Sequence, residues 1–274
     1  MRKYVSASDK RILMPAEFEV HHFTYGPLTP LLAYGISVAG SLLGLQCTAR
    51  ARAVSGLRER CWWLAGGSVA LGGTAIWVMH FVGMLGFSVS GADLAYEVPL
   101  TLFSALVAVV FVGAGLFLVG FGLPATAGGL LAGGGVATMH YTGMAAMNLN
   151  AETSYDPGLF LLSILIAVVA ATAALFFATR TGGWISAAGA SLVMGAAVSG
   201  MHYTGMFALD VHSVSDGPVE GADPTQLLVP LTATVSLVTA ILCVIVGGSA
   251  STRERRKEAE FMEGLERDMG MSDH

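Results

Sequence analysis

The chain has 274 residues, 54% of them hydrophobic and only 12% charged, with 35 glycines and a mean hydropathy of +0.67. A water-soluble domain of this length could not cover itself with so little polar surface, so the composition excludes a soluble enzyme and makes lipid the solvent. The formal net charge of -5 carries less information than the positions of the cations, which stand beside apolar runs and suggest no nucleic-acid partner.

A helix needs about 20 mostly apolar residues to cross the hydrocarbon core. Seven such runs follow one another: Leu28 to Cys47, Trp62 to Phe87, Val98 to Gly120, Pro124 to Met147, Gly158 to Thr179, Trp184 to Leu209 and Leu227 to Gly248. The first is too long for the apolar region of a signal peptide and is followed by Arg50-Ala51-Arg52, not by a cleavage site, so it is expected to stay. The expected fold is therefore an all-α integral membrane protein of seven transmembrane helices.

Arg50, Arg52, Arg58 and Arg60 follow the first run, Arg180 follows the fifth, and Arg253, Arg255, Arg256, Lys257 and Arg267 follow the last. The alternate loops carry Asp93 and Glu97, then Glu152 and Asp156, then Asp210, Asp216, Glu220 and Asp223, without Lys or Arg. By the positive-inside rule the basic loops face the cytoplasm, which puts the N-terminus out and the C-terminus in. Arg2, Lys3, Lys10 and Arg11 oppose that assignment and are outvoted by the later loops. The division is then an extracytoplasmic segment at 1–27, a membrane domain at 28–249 and a short charged cytoplasmic tail at 250–274, in a bacterial inner membrane. Cys47, Cys61 and Cys243 lack CxxC spacing and lie at or within the bilayer, as apolar filler.

The runs are not independent. Tyr25-Gly26-Pro27, Tyr96-Glu97-Val98-Pro99 and Tyr155-Asp156-Pro157 introduce the odd-numbered ones. The even-numbered ones end in Met79-His80-Phe81-Val82-Gly83-Met84, Met139-His140-Tyr141-Thr142-Gly143-Met144 and Met201-His202-Tyr203-Thr204-Gly205-Met206, with the histidines 60 and 62 residues apart. A helical hairpin repeated three times, plus a seventh helix, accounts for the chain. Parallel repeats place the three motifs at one depth near the outer face, where they can meet.

At about 100° per residue the His, the Gly and the second Met of each motif share one helix face, and Gly lets neighbouring helices approach closely. Ionisable groups inside a span are costly and need a polar partner, water or an ion. Imidazole and thioether donors together suit copper, Cu(I) above all, whereas zinc usually recruits thiolates or carboxylates and haem needs a wider slot. The candidate metal ligands are His80, His140 and His202 with Met84, Met144 and Met206; Met79, Met139 and Met201, a quarter turn away, complete the set. His21, His22 and His212 are possible accessory groups in the outer segments, Asn148 and Asn150 stand at the entrance, and Phe81, Tyr141 and Tyr203 read as interfacial aromatics.

These motifs resemble the signature of the bacterial MHYT domain, spelled in full by Met139-His140-Tyr141-Thr142 and Met201-His202-Tyr203-Thr204 and with changes by Met79-His80-Phe81-Val82. The resemblance covers most of the chain. It implies an integral membrane sensory domain of about seven helices that binds copper through the His and Met residues named above and senses oxygen, carbon monoxide or nitric oxide. Many members of that family continue into cyclic-di-GMP, kinase or DNA-binding modules. None is visible here, so a stand-alone sensor would signal through a separate cytoplasmic or membrane partner. Copper-dependent oxidoreductase and metal transporter are the competing readings; enzymatic activity is not the expectation. The oligomeric state is not legible.

Overall fold

A computed structural model describes residues 19–180, 183–215 and 217–268, with side chains described as far as Gly248. The N-terminal cations and Asp216 lie outside the described residues, and the basic side chains after Gly248 outside the described side chains.

The apolar runs are helices: α1 (Leu28–Ala53), α2 (Leu57–Ser68), α3 (Met79–Met84), α4 (Val98–Gly120), α5 (Ala125–Ala145), α6 (Pro157–Arg180), α7 (Trp184–Phe207) and α8 (Pro224–Asp268). A π-helix, Val69–Val78, joins α2 to α3 in one rod. Starts follow local chemistry. Pro157 opens α6, where its missing N–H costs nothing, and Asp156 Oδ1 accepts the N–H of Leu159 at 2.7 Å. Asp223 Oδ1 accepts from Thr225 and Gln226 at the start of α8 in the same way, at 2.9 and 3.0 Å.

Among the described residues, six helices are long and apolar enough to cross a membrane: Leu28–Ala53, Leu57–Met84, Val98–Gly120, Pro157–Arg180, Trp184–Phe207 and Pro224–Gly248. The sequence reading counted seven. The difference is α5, whose glycines lower its hydropathy although it packs between α4 and α6. The last candidate span ends at Gly248, where the apolar run ends, and the helix that contains it, α8, continues through the charged stretch to Asp268. Lys, Arg and Glu are good helix formers, and no glycine or proline interrupts Ser249 to Glu263.

Among the described residues, the loops at one end of the bundle pair into three two-stranded antiparallel sheets. The segment before each odd-numbered run pairs with the segment after its even-numbered partner: β1 (Val20–His21) with β2 (Ser88–Val89), β3 (Leu94–Tyr96) with β4 (Met147–Leu149), and β5 (Ala151–Tyr155) with β6 (Leu209–Val214). Each repeat is thus strand, two helical rods, strand. Its closure is the same three times: the N–H of Thr24, Glu97 and Asp156 reaches the carbonyl of Gly86, Ala146 and Ala208 at 2.9, 2.8 and 2.8 Å, each carbonyl six residues past its motif histidine. Such pairing satisfies backbone groups that would otherwise face the bilayer surface unbonded. Asn148 and Asn150 pin this layer by side-chain bonds to the carbonyls of Glu220 and Ser215, and Asn150 Oδ1 also accepts from Asp93 N–H.

Helix approach is set by small residues, as expected where lipid gives no hydrophobic drive between helices. A Cβ on Gly72 would stand 2.7 Å from the Ala108 carbonyl oxygen, and one on Gly133 would stand 2.5 Å from the Val168 Cα.

Candidate metal centre

His80 stands on α3, His140 on α5 and His202 on α7, one turn or so before each rod ends under the strand layer. All three are 1% exposed. Their rings meet nearly edge to face, with centroids 4.8, 4.9 and 5.4 Å apart. His80 Nδ1 is 3.0 Å from the Nδ1 of both His140 and His202, and ligand nitrogens of all three lie within 4.8 Å of one another.

The other face of each ring explains the glycine. His80 Nε2 abuts Gly143, His140 Nε2 abuts Gly205, and His202 Nε2 abuts Gly83, so each imidazole rests on the glycine of the next repeat around a closed ring. A Cβ on Gly143 would lie 2.5 Å from the His80 Nε2. The motif aromatics circulate in the same sense: Phe81 packs on Tyr96, Tyr141 on Tyr155 and Tyr203 on Phe23, at 5.9, 5.6 and 5.5 Å between centroids. The histidines of the sequence motif therefore meet about one pseudo-threefold axis.

The three Nε2 atoms are buried and lack a hydrogen-bond partner among the described residues. Two of the three Nδ1 pairs sit at hydrogen-bond distance, yet two neutral imidazoles share only one proton per contact, so a third ring is left without a complementary partner. An ion bound at about 2.0–2.1 Å from each nitrogen holds ligands roughly 3.3–3.6 Å apart, close to the spacing present here. The three histidines form a group able to hold a metal ion, whereas a porphyrin finds no slot between rings whose Nδ1 atoms are 3.0 Å apart.

Met79, Met84, Met139, Met144, Met201 and Met206 are all buried, between 1% and 3% exposed, in the same apolar core. Below the histidines, toward the opposite end, lies a cavity of ≈ 50 Å³ lined by Met201, Met194, Val198, Ala75, Ile76 and other mostly apolar groups, with Ser41 the polar exception. His21 and His212 do not join the cluster. They sit on the strands, bonded to Ser90 and Ser154 at 3.3 and 2.6 Å. His22 lies beneath that layer, its ring 4.4 Å from Phe207 and 5.7 Å from Phe87, with Nδ1 buried and without a hydrogen-bond partner among the described residues; burial lowers its pKa. Phe81 is not an interfacial aromatic: it is fully buried between Trp77, His80 and Tyr96, because its rod is enclosed on every side. The strand layer and the π-helix were missed from sequence. Tyr96 and Tyr155 of the repeated openings end β3 and β5, but β1 ends at His21, before Tyr25, and runs of two to six residues carry little period.

Fold and site define a multi-pass membrane protein with a buried histidine cluster built from repeats. The chain belongs to the MHYT family, described as "Bacterial signalling protein N terminal repeat", whose model matches residues 73–132, 133–190 and 195–264. It is 41% identical over 239 residues to the bifunctional diguanylate cyclase/cyclic di-GMP phosphodiesterase MucR of Pseudomonas aeruginosa, covering 82% of this chain and 34% of that protein. It is 35% identical over 253 residues to the cyclic di-GMP phosphodiesterase NbdA of the same organism, 87% of this chain and 32% of that one. The signaling protein YkoW of Bacillus subtilis is 34% identical over 205 residues, 70% of this chain and 25% of that one. The chain thus spans about a third or less of the length of these relatives. No solved structure matches it.

Proposed function

We propose that this chain is a sensory membrane module in which His80, His140 and His202 hold a copper ion, as Cu(I), with buried thioethers of the motif methionines as further donors. The observation that carries this reading is the convergence of three Nδ1 atoms, one from each repeat, with two contacts at 3.0 Å. The charge of the ion follows from its surroundings. The cluster contains three neutral imidazoles and no carboxylate, so a monovalent ion leaves less uncompensated charge in a dry site than a divalent one.

A three-coordinate ion supplies an open position for a diatomic gas such as oxygen, carbon monoxide or nitric oxide. The protein's part is to fix the rings: each imidazole is held against the glycine of the next repeat, so a change at one ring is felt in all three. The π-helix joins His80 to the body of its rod and touches α8, where the Thr74 and Thr239 hydroxyls are hydrogen-bonded. That contact leads a change at the cluster toward the far end of α8 and a signalling partner there. The family is described as a repeat of bacterial signalling proteins and the relative YkoW is named a signaling protein, which favours a sensor over the competing readings. A transporter would need a polar path, whereas the cavity below the histidines is apolar; an oxidoreductase would turn over a substrate.

In the same reading α5 spans the bilayer as the seventh helix, the strand layer faces outward, the N-terminus is out and the C-terminus is in the cytoplasm. The 1–27, 28–249 and 250–274 division follows, in the inner membrane. The test is elemental analysis of the detergent-purified protein beside His80→Ala, His140→Ala and His202→Ala after loading with Cu(I). Near-stoichiometric copper in the wild type, lost in each variant, is the expected result. A folded wild type that takes up no copper would leave the cluster as a packing or proton-handling layer.

A further inference from the structure

The cavity of ≈ 50 Å³ beneath the histidines is bounded by α1, the π-helix, α4, α5, α6 and α7, and its walls are unequal. Every residue lining it from α1, the π-helix, α4 and α5 is buried, as are Met194 and Met201 of α7. The half-buried ones, Ala170, Ala171, Ala174 and Val198, all stand on α6 and α7. Those two helices are long and apolar enough to cross a membrane, and beside the cavity they leave Leu165, Val169 and Val193 exposed. The thin wall of the cavity therefore faces lipid, and it is built mainly of alanine. The interior is nearly free of polar groups. Among the described residues that line it, Ser41 supplies the one polar side chain; it is 0% exposed, and its hydroxyl has no hydrogen-bond partner among the described residues. The space would admit a water molecule, but an ordered water needs about two to four polar partners, and one hydroxyl does not supply them. A dry cavity of this size takes a molecule of very few atoms and excludes a lipid tail or a quinone, whose pockets are several times larger.

We propose that this cavity binds small apolar molecules, of the class of dissolved diatomic gases, which enter from the bilayer between α6 and α7 and are held beneath the histidine cluster. Apolar solutes leave water for lipid, so an opening within the bilayer meets a richer source than one at the aqueous surface. The position suits delivery: Met201, in the lining, directly precedes His202 in the chain. Supply of a ligand to an ion at the cluster rests on the copper reading; the capacity of the cavity for an apolar occupant does not.

The test uses the full chain in nanodiscs. One arm follows xenon, an inert apolar probe, by saturation-transfer NMR; the other follows the association of carbon monoxide with the Cu(I)-loaded protein by stopped-flow infrared spectroscopy. Ala171→Leu and Ala174→Leu, which thicken the lipid-facing wall, are compared with Ala173→Leu, a half-buried alanine of the same helix that does not line the cavity. The expected result is a bound-xenon signal in the wild type that falls roughly tenfold in both wall variants and is kept in the control. The rate of carbon monoxide association falls with it, at unchanged copper content. No bound xenon in the wild type, equal loss in Ala173→Leu, or a carbon monoxide rate indifferent to both wall variants overturns the proposal. A wild type that takes up no copper removes the copper reading, and the xenon arm then decides the cavity by itself. If neither leucine variant folds, Ala171→Val takes their place.

Discussion

The first repeat and the third carry the same histidine and glycine, yet their even-numbered rods live in different surroundings. In the first rod, Leu57–Met84, 94% of the apolar window is buried inside the protein; in α7 the figure is 33%. The third repeat keeps Tyr203 and Thr204, and Thr204 on the exposed side returns its hydroxyl to the Gly200 carbonyl at 2.7 Å. The first repeat has Phe81 and Val82, both buried. The second repeat shows why the exchange is consistent. Tyr141 shares a 2.5 Å hydrogen bond with Ser163, whereas Ser104, the same seven residues past the opening acid of its repeat, is taken by Trp77 Nε1 at 3.0 Å. A phenol at position 81 would find that partner engaged. Motif divergence thus tracks enclosure: where the rod became the centre of the bundle, hydroxyls gave way to apolar atoms.

The comparison breaks most sharply at the shared feature. Gly143→Ala and Gly205→Ala push a methyl into the His80 and His140 rings, and each is expected to weaken copper binding by roughly 10–100-fold, the range for losing a group that orients a ligand. Gly83→Ala should do the same through His202 if the three repeats are equivalent at the ring; competition titration against a Cu(I) chelator reads all three. A single unaffected variant would separate that repeat from the cluster.

Smaller effects sharpen the difference between repeats. Phe81→Tyr buries a hydroxyl where Ser104 is already engaged and should cost about 1–3 kcal/mol, while Tyr141→Phe surrenders one hydrogen bond and should cost about 1 kcal/mol. Thermal unfolding in one detergent ranks them, and the reverse order would remove the enclosure explanation.

The smallest effect belongs to the strand layer. Burial lowers the pKa of His22, so the folded protein keeps it neutral while the unfolded chain protonates near pH 6.5. Its contribution to stability is present above that pH and fades as pH falls toward the lowered folded value. His22→Phe should flatten the acid side of the stability curve, and an unchanged slope would assign that acid sensitivity to other groups.

Much of this was legible in residues. The seven apolar runs located the helical rods, and the three hexapeptides named the histidines that meet, because a repeat in a parallel hairpin array must return its motif to the same depth. The run at α5 is a helix as read, but its glycines keep its hydropathy below that of the six candidate spans while serving the close packing against α4 and α6. The interfacial reading of Phe81 failed because enclosure belongs to neighbours distant in sequence.

The sequence by itself determined the solvent, the threefold repetition and the residue types at the cluster, since each depends on local chemistry and fixed spacing. Tertiary structure alone decided which face of each imidazole meets its partners. Nδ1 turns inward because Nε2 is pressed on the glycine of the next repeat, a contact between residues 63 to 119 positions apart. It also decided that one rod carries a ten-residue π-helix and lies at the centre, for hydropathy is blind to which of several similar helices the others surround.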